Sequence, residues 1–370
     1  MNTTASAGAA ARSDRAFPSV LPMMQPVLRR GRSYLDRAVL PGDENEARLQ
    51  ALLAQAAERG LAGVVIFGAA HTPENLIYYA NYTPTTFHGT LIARAGTPPT
   101  LIAGKGGARD HPYIRTVSWV ADIRYAAELG EAIAEITGGW DGPLGVAGLD
   151  TSLPHEVRAG VAAALGTRIT AIDDLVTHQR RTKSARELVV AQRASELARA
   201  AASAAVDAYQ AGAGRRSALA AADYAARAGS AHDCRVTVGT EGGGVATIAE
   251  MADDRGRLSA IIAVEYLGYW GLAGIDPDAA GPDAGFEQLI GRLRPGADAR
   301  DVLGPESSAT DSYLVNGLGC GLAELPAWGT EPRSALIEGD VLSIVRLREE
   351  AGLQLAVRTV VVTAGGAREI

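Results

Sequence analysis

The stretch AIIAVEYLGYWGLAGIDPD, residues 260 to 278, runs four apolar residues, Ile261 to Val264, straight into a carboxylate at Glu265. An unpaired buried carboxylate is costly. Apolar surroundings destabilise its charged form and raise its pKa, which suits a group that gives and takes a proton near neutral pH. Glu265 is therefore the first candidate for general acid/base chemistry. Asn316, in NGLG, offers a donor and an acceptor at one position and could orient a substrate or stabilise an oxyanion; a turn residue before Gly317 is the plainer alternative. An imidazole, whose pKa suits proton transfer near neutrality, is available at His88 in TPTTFHGT and at His232 in SAHDCRV. Tyr269 in GYW reads as a core aromatic or a proton donor, and Glu324 in AELPAW as an acid facing substrate or lying on a rim. The segment GTEGGGVAT has the backbone N–H density of an anion cradle but lacks the Lys-Ser/Thr of a P-loop, so it reads as a tight loop near substrate.

The elements that must position these residues follow from periodicity. NEARLQALLAQAAERG carries apolar residues at helical spacing and stops at Gly60. LAGVVIFG, GTLIARAGTPPTLIAG, VSWVADIRY and PLGVAGLD read as strands, with AAELGEAIAEI as a helix among them. This alternation predicts an α/β domain over residues 31–175, after a disordered tail at 1–30 with no apolar core for a signal peptide. Residues 178–212 read as one long Ala-rich helix and SALAAADYAARAG as a second. CRVTVG, SAIIAVEY, DVLSIVRLR and LAVRTVVVTAG then read as strands, giving an α+β domain over 176–370.

Composition narrows the function. A net charge of −7 argues against nucleic acid, which is held by clustered Lys and Arg. No run reaches the 18 or so apolar residues that a membrane span needs. Cys234 and Cys320 lack the C-x-x-C spacing of zinc or redox sites and read as reduced thiols of a cytoplasmic protein. The near-absence of Lys beside abundant Arg reads as the codon bias of a bacterium with a GC-rich genome.

Taken in order, RRTKSARELVVAQRASELA, VTVG before a Gly-rich loop, AVEYLGYWG, NGLG, LIEGDVLSI and RTVVVT resemble the creatinase and Xaa-Pro aminopeptidase family. TPENLIYYANYTP resembles its N-terminal segment. The resemblance implies a pita-bread C-terminal domain preceded by a smaller α/β creatinase-type domain, and a homodimer whose N-terminal loop, here with His88, reaches the partner's pocket. It also implies a dinuclear metal site built from two Asp, one His and two Glu. Carried over residue by residue, those positions fall on Glu265, on or beside Leu272, and on Asn316, Val345 and Val357. Divalent ions need oxygen and nitrogen donors, so no metal and no cofactor are expected. The His that the metal-free creatinase mechanism uses has no counterpart in TEGGGVATIAE, where the nearest positions are Ala246 and Thr247.

The expectation is therefore a metal-independent, non-peptidase enzyme acting on a small molecule by cyclisation, isomerisation, elimination or hydrolysis, with a specialised biosynthetic pathway as its setting. Glu265, Asn316 and His88 are the expected catalytic residues. Glu324, Tyr269, Leu272, Val345, Val357 and His232 are expected to touch substrate, with Leu272, Val345 and Val357 walling Glu265. Two rivals remain: a creatinase-type C–N hydrolase gripping an amidine between Glu265 and Glu324, and a non-catalytic scaffold.

Overall fold

The computed structural model describes residues 38–84, 88–104, 111–240, 245–251, 254–277, 284–304, 307–308, 310–327, 335–349 and 353–370. The expected tail at 1–30, and the middle of the Gly-rich segment at 241–244, lie outside the described residues. The chain forms two compact units, one built on Pro41–Val176 and the other on Ala38–Leu40 with Thr177–Ile370.

In the first unit the chain runs α1 (Gly42–Glu58), β1 (Gly63–Ala69), α2 (Glu74–Ala80), β2 (His88–Ala93), β3 (Thr100–Ile102), α3 (His111–Val117) and β4 (Asp122–Arg124). It continues through α4 (Leu129–Thr137), β5 (Leu144–Ala147), α5 (Leu149–Ser152), α6 (His155–Leu165) and β6 (Ile169–Ala171) to α7 (Asp173–Arg181), which leads into the second unit. The strands make one mixed sheet in the order β4-β3-β2-β1-β5-β6. Every residue of β1 is buried, as a central strand covered on both faces requires. Val65, Phe67, Ile92 and Val146 pack with Ile133 of α4 and Val161 of α6. Burial of each such side chain is worth about 1.5–3 kcal/mol.

The second unit continues with α8 (Ala185–Gln210), α9 (Arg215–Ala228), β7 (Asp233–Gly239), β8 (Val245–Ala246), β9 (Ala260–Tyr266), β10 (Tyr269–Ile275), α10 (Ala284–Gly291) and α11 (Ala299–Leu303). Then come β11 (Asp311–Gly317), β12 (Glu324–Ala327), β13 (Val341–Glu349), β14 (Leu353–Thr363) and β15 (Gly366–Glu369). Two sheets result, β10-β9-β7-β8 and β12-β11-β13-β14-β15.

The long helix expected over 178–212 is broken. It ends at Arg181 and restarts at Ala185, where the Ser184 hydroxyl accepts from Glu187 N and the Glu187 carboxylate accepts from Ser184 N. This reciprocal cap satisfies two amides that a continuous helix would have bonded internally.

Alternation assigns the faces of each sheet. In the first, Ala260, Ile262, Val264, Ala273 and Ile275 pack on Ala198, Ala201, Ala205 and Leu219 of α8 and α9. The alanine-rich helix lets the sheet come close. A Cβ on Gly271 would sit 2.3 Å from the backbone N of Ser195, so only glycine fits there. In the second sheet Tyr313, Val315, Leu342, Ile344, Val360 and Val362 pack on Phe286, Leu289 and Ile290 of α10 and Leu303 of α11. The other faces of the two sheets turn toward each other, because Ala263 and Trp270 share one core with Leu318, Val341 and Val361. Helices thus clothe the outside, and the inner faces of the two sheets pack toward each other within this unit.

Candidate active site

Each inner face can be read row by row from strand register, since opposed residues share a face. On the first sheet, Asp233, Glu265 and Trp270 form one row across β7, β9 and β10. Arg235, Ala263 and Leu272 form the next, and Thr237, Ile261 and Gly274 the third. On the second sheet the rows across β11, β13 and β14 are Leu314, Val345 and Val357, then Asn316, Ser343 and Thr359. The sheets meet where Thr359 Oγ1 accepts from Leu272 N at 2.9 Å and donates to Leu272 O at 3.0 Å. Leu272, Val345 and Val357 therefore lie on adjoining inner-face strands, beside a stripe of hydroxyl and amide groups.

Glu265 is buried at 4% exposure on the inner face of the first sheet. Its setting differs from the expected wall of Leu272, Val345 and Val357. It stands at the turn end of the hairpin, with Asp233 on one side and Trp270 on the other, while Leu272 belongs to the row of Ala263. The missed neighbours are Asp233 and Arg235. Their signal was the alternation of charge in DCRVTV, read only as a strand.

Asn316 lies on the inner face of the second sheet, half-buried, at a register shift between β11 and β12. The Ser343 hydroxyl lies 3.5 Å from its carbonyl oxygen. Tyr269 points the other way: its hydroxyl donates to Glu187 Oε1 at 2.9 Å beneath α8, and it helps hold the cap of that helix. Tyr269→Phe leaves a buried carboxylate short of a donor, so an equilibrium unfolding measurement should show a loss of about 1.5–3 kcal/mol, with kcat little changed. His232 lies on the outer face too, stacked on Tyr266 at 6.1 Å between ring centres, and its backbone N donates to Glu265 O at 2.8 Å. His88 opens β2 in the first unit and is 5% exposed there.

Glu324 is occupied. Its carboxylate accepts from Arg180 Nη2 and from Gly321 N at 2.8 Å, and Lys183 Nζ lies 3.5 Å away. Burial pushes this carboxyl up, but the charges of Arg180 and Lys183, the Arg180 hydrogen bond and the Gly321 N–H together hold it below the usual carboxylate range. The cluster fills the space under the turn at Gly319, where a Cβ would meet Glu324 Oε2 at 2.5 Å and Lys183 Nζ at 2.9 Å. Neither cysteine is in a disulfide, and burial, with Asp223 nearby, pushes the Cys234 thiol up to about 12, far from a nucleophile's range.

No family model and no curated protein match the chain. Solved structures do. A prolidase from Pyrococcus horikoshii superposes with a TM-score of 0.70 at 16% identity, covering 87% of this chain and 97% of its own. An X-Pro aminopeptidase from Thermotoga maritima gives 0.67 at 16%, covering 87% and 96%. Dipeptidase PepE from Mycobacterium ulcerans gives 0.65 at 22%, covering 91% and 96%. The chain has the pita-bread fold. At these identities the likeness extends to the fold alone.

The positions that the sequence resemblance pairs with a dinuclear metal centre carry three hydrocarbon side chains. Leu272, Val345 and Val357 offer hydrocarbon where divalent ions need oxygen or nitrogen. Among the described residues no three His, Cys, Asp or Glu side chains gather into a ligand set. Nor, among them, is any helix long and apolar enough to cross a membrane.

Proposed function

We propose that this pita-bread protein is a metal-independent, non-peptidase enzyme that carries out general acid/base chemistry on a small molecule in the cleft between its two inner sheet faces. The observation that carries the reading is the content of that cleft. A buried carboxylate, Glu265, is kept on the cleft face, while the adjoining strands present Leu272, Val345 and Val357 beside the hydrogen-bonding stripe of Asn316, Ser343 and Thr359. Glu265 takes or gives the proton. Asn316 orients the substrate or stabilises developing negative charge. Cyclisation, isomerisation, elimination and hydrolysis can each use such a pair, and a pathway-specific intermediate of specialised metabolism suits an apolar cleft.

The amidine-hydrolase reading needs two glutamates free to grip a cation, and Glu324 already holds Arg180 and Lys183. It gains no support. A scaffold would lose nothing measurable on replacement of Glu265.

The reading is tested with Xaa-Pro dipeptides supplied with manganese or cobalt. No hydrolysis above background is expected, and metal-dependent turnover would overturn it. The same reading includes a cytoplasmic homodimer. Light scattering at micromolar concentration should give twice the chain mass; a monomer would remove His88 from the set of catalytic residues.

A further inference from the structure

Arg235 shares the cleft face with Glu265. Its register partner on β9 is Ala263, and its guanidinium carbon lies 4.5 Å from the ring centre of Trp270 on β10. The side chain therefore crosses β9 from one neighbour to the other, and Ala263 is small enough to lie under it. Two contacts hold the guanidinium. Its Nε donates to Asp233 Oδ2 at 3.1 Å, and Asp233 is itself fixed because its Oδ1 accepts from Cys234 N at 2.9 Å. The indole face supplies the second contact. Among the described residues no oxygen accepts from Nη1 or Nη2, and the side chain is 40% exposed. Exposed Thr237 and half-buried Ile261 and Leu272 lie on the same face.

A guanidinium stacked on a ring and tethered at Nε has lost much of its freedom before a ligand arrives, so little ordering remains to be done on binding. Its free end is a pair of parallel N–H groups, which matches the two oxygens of a carboxylate. We propose that Arg235 anchors a carboxylate of the substrate, placing the adjoining part of that molecule against Glu265 and its apolar body along Ile261 and Leu272. The substrate class is then a small carboxylic acid with a hydrocarbon portion. Asp233 offsets much of the arginine's charge, so aimed hydrogen bonds rather than a long-range field make the selection. A primary amide of the same shape offers one acceptor and turns its own donors toward the second N–H. The assignment rests on the cleft being the substrate site, but the anchor and the acid/base are different residues and fail separately.

Titration calorimetry on the full chain with hexanoate and hexanamide tests it. The parent should bind hexanoate at least 10-fold more tightly than hexanamide. Arg235→Gln should abolish that preference, and Arg235→Lys, which keeps the charge but loses the fork and the stacking, should restore only part of it. Glu265→Gln should keep it. Melting curves show whether each variant is folded; if Arg235→Gln is not, the comparison of the parent with Arg235→Lys decides. Equal binding of the two probes by the parent, no saturable binding of hexanoate, or an undiminished preference in the folded Arg235 variants would overturn the anchor. A Glu265→Gln protein that keeps full turnover and the hexanoate preference would remove the acid/base assignment while supporting the anchor.

Discussion

Glu265→Gln should lower turnover by roughly 10²-fold or more while the melting temperature changes little. Glutamine keeps the shape and most of the hydrogen-bonding capacity of the side chain, but it cannot carry the proton. Glu265→Asp keeps the acid and withdraws it by one methylene between Asp233 and Trp270. Positioned groups tolerate such displacement poorly, so an intermediate loss is expected. Steady-state rates on the three proteins at saturating substrate distinguish the cases. A Gln variant at the parent rate shows that Glu265 moves no proton in the reaction.

Glu324→Gln should fold weakly and leave the chemistry to Glu265. The substitution removes the carboxylate charge that faces Lys183, at 3% side-chain exposure, and Arg180, at 15%. Removing one partner of a buried ion pair costs about 3–5 kcal/mol, to be read from urea unfolding at pH 7. The pH dependence has a definite sign. Because Arg180 and Lys183 hold the folded carboxyl below the ordinary glutamate value of 4.5, its stabilisation is complete above that unfolded value and is lost as pH falls through the folded one. The gap between parent and variant should therefore narrow on acidification below about pH 4.5. A variant as stable as the parent at pH 7 would show that the cluster contributes nothing net.

The fold was legible in the sequence because its strands are continuous apolar runs and its motifs keep the order of a known family. Other features were misread for physical reasons. The break between α7 and α8 was hidden by helical periodicity on both sides, although SARE carried the Ser and Glu of a reciprocal cap at Ser184 and Glu187. The surroundings of Glu265 were taken from the family's ligand positions rather than from register. Hairpin pairing sets Trp270 opposite Glu265 and Leu272 opposite Ala263, and the third strand brings Asp233 and Arg235 to the same face. Such neighbours come from strand order, which a local pattern does not encode. For the same reason Glu324 read as a substrate contact: its partners Arg180 and Lys183 lie more than a hundred residues away in the chain. Tyr269 and His232 read as candidates by residue type, and alternation turns both to the helix side.

The measurement that bears most directly on a cleft working without metal is elemental analysis of the purified protein, followed by calorimetric titration with manganese. Hydrocarbon at Leu272, Val345 and Val357 predicts less than a tenth of an equivalent of any divalent ion as purified and no saturable uptake at micromolar concentrations, by the order-of-magnitude demands of divalent coordination. Two ions bound per chain with micromolar affinity would contradict the account, because that stoichiometry requires a carboxylate and imidazole set that is not found among the described residues.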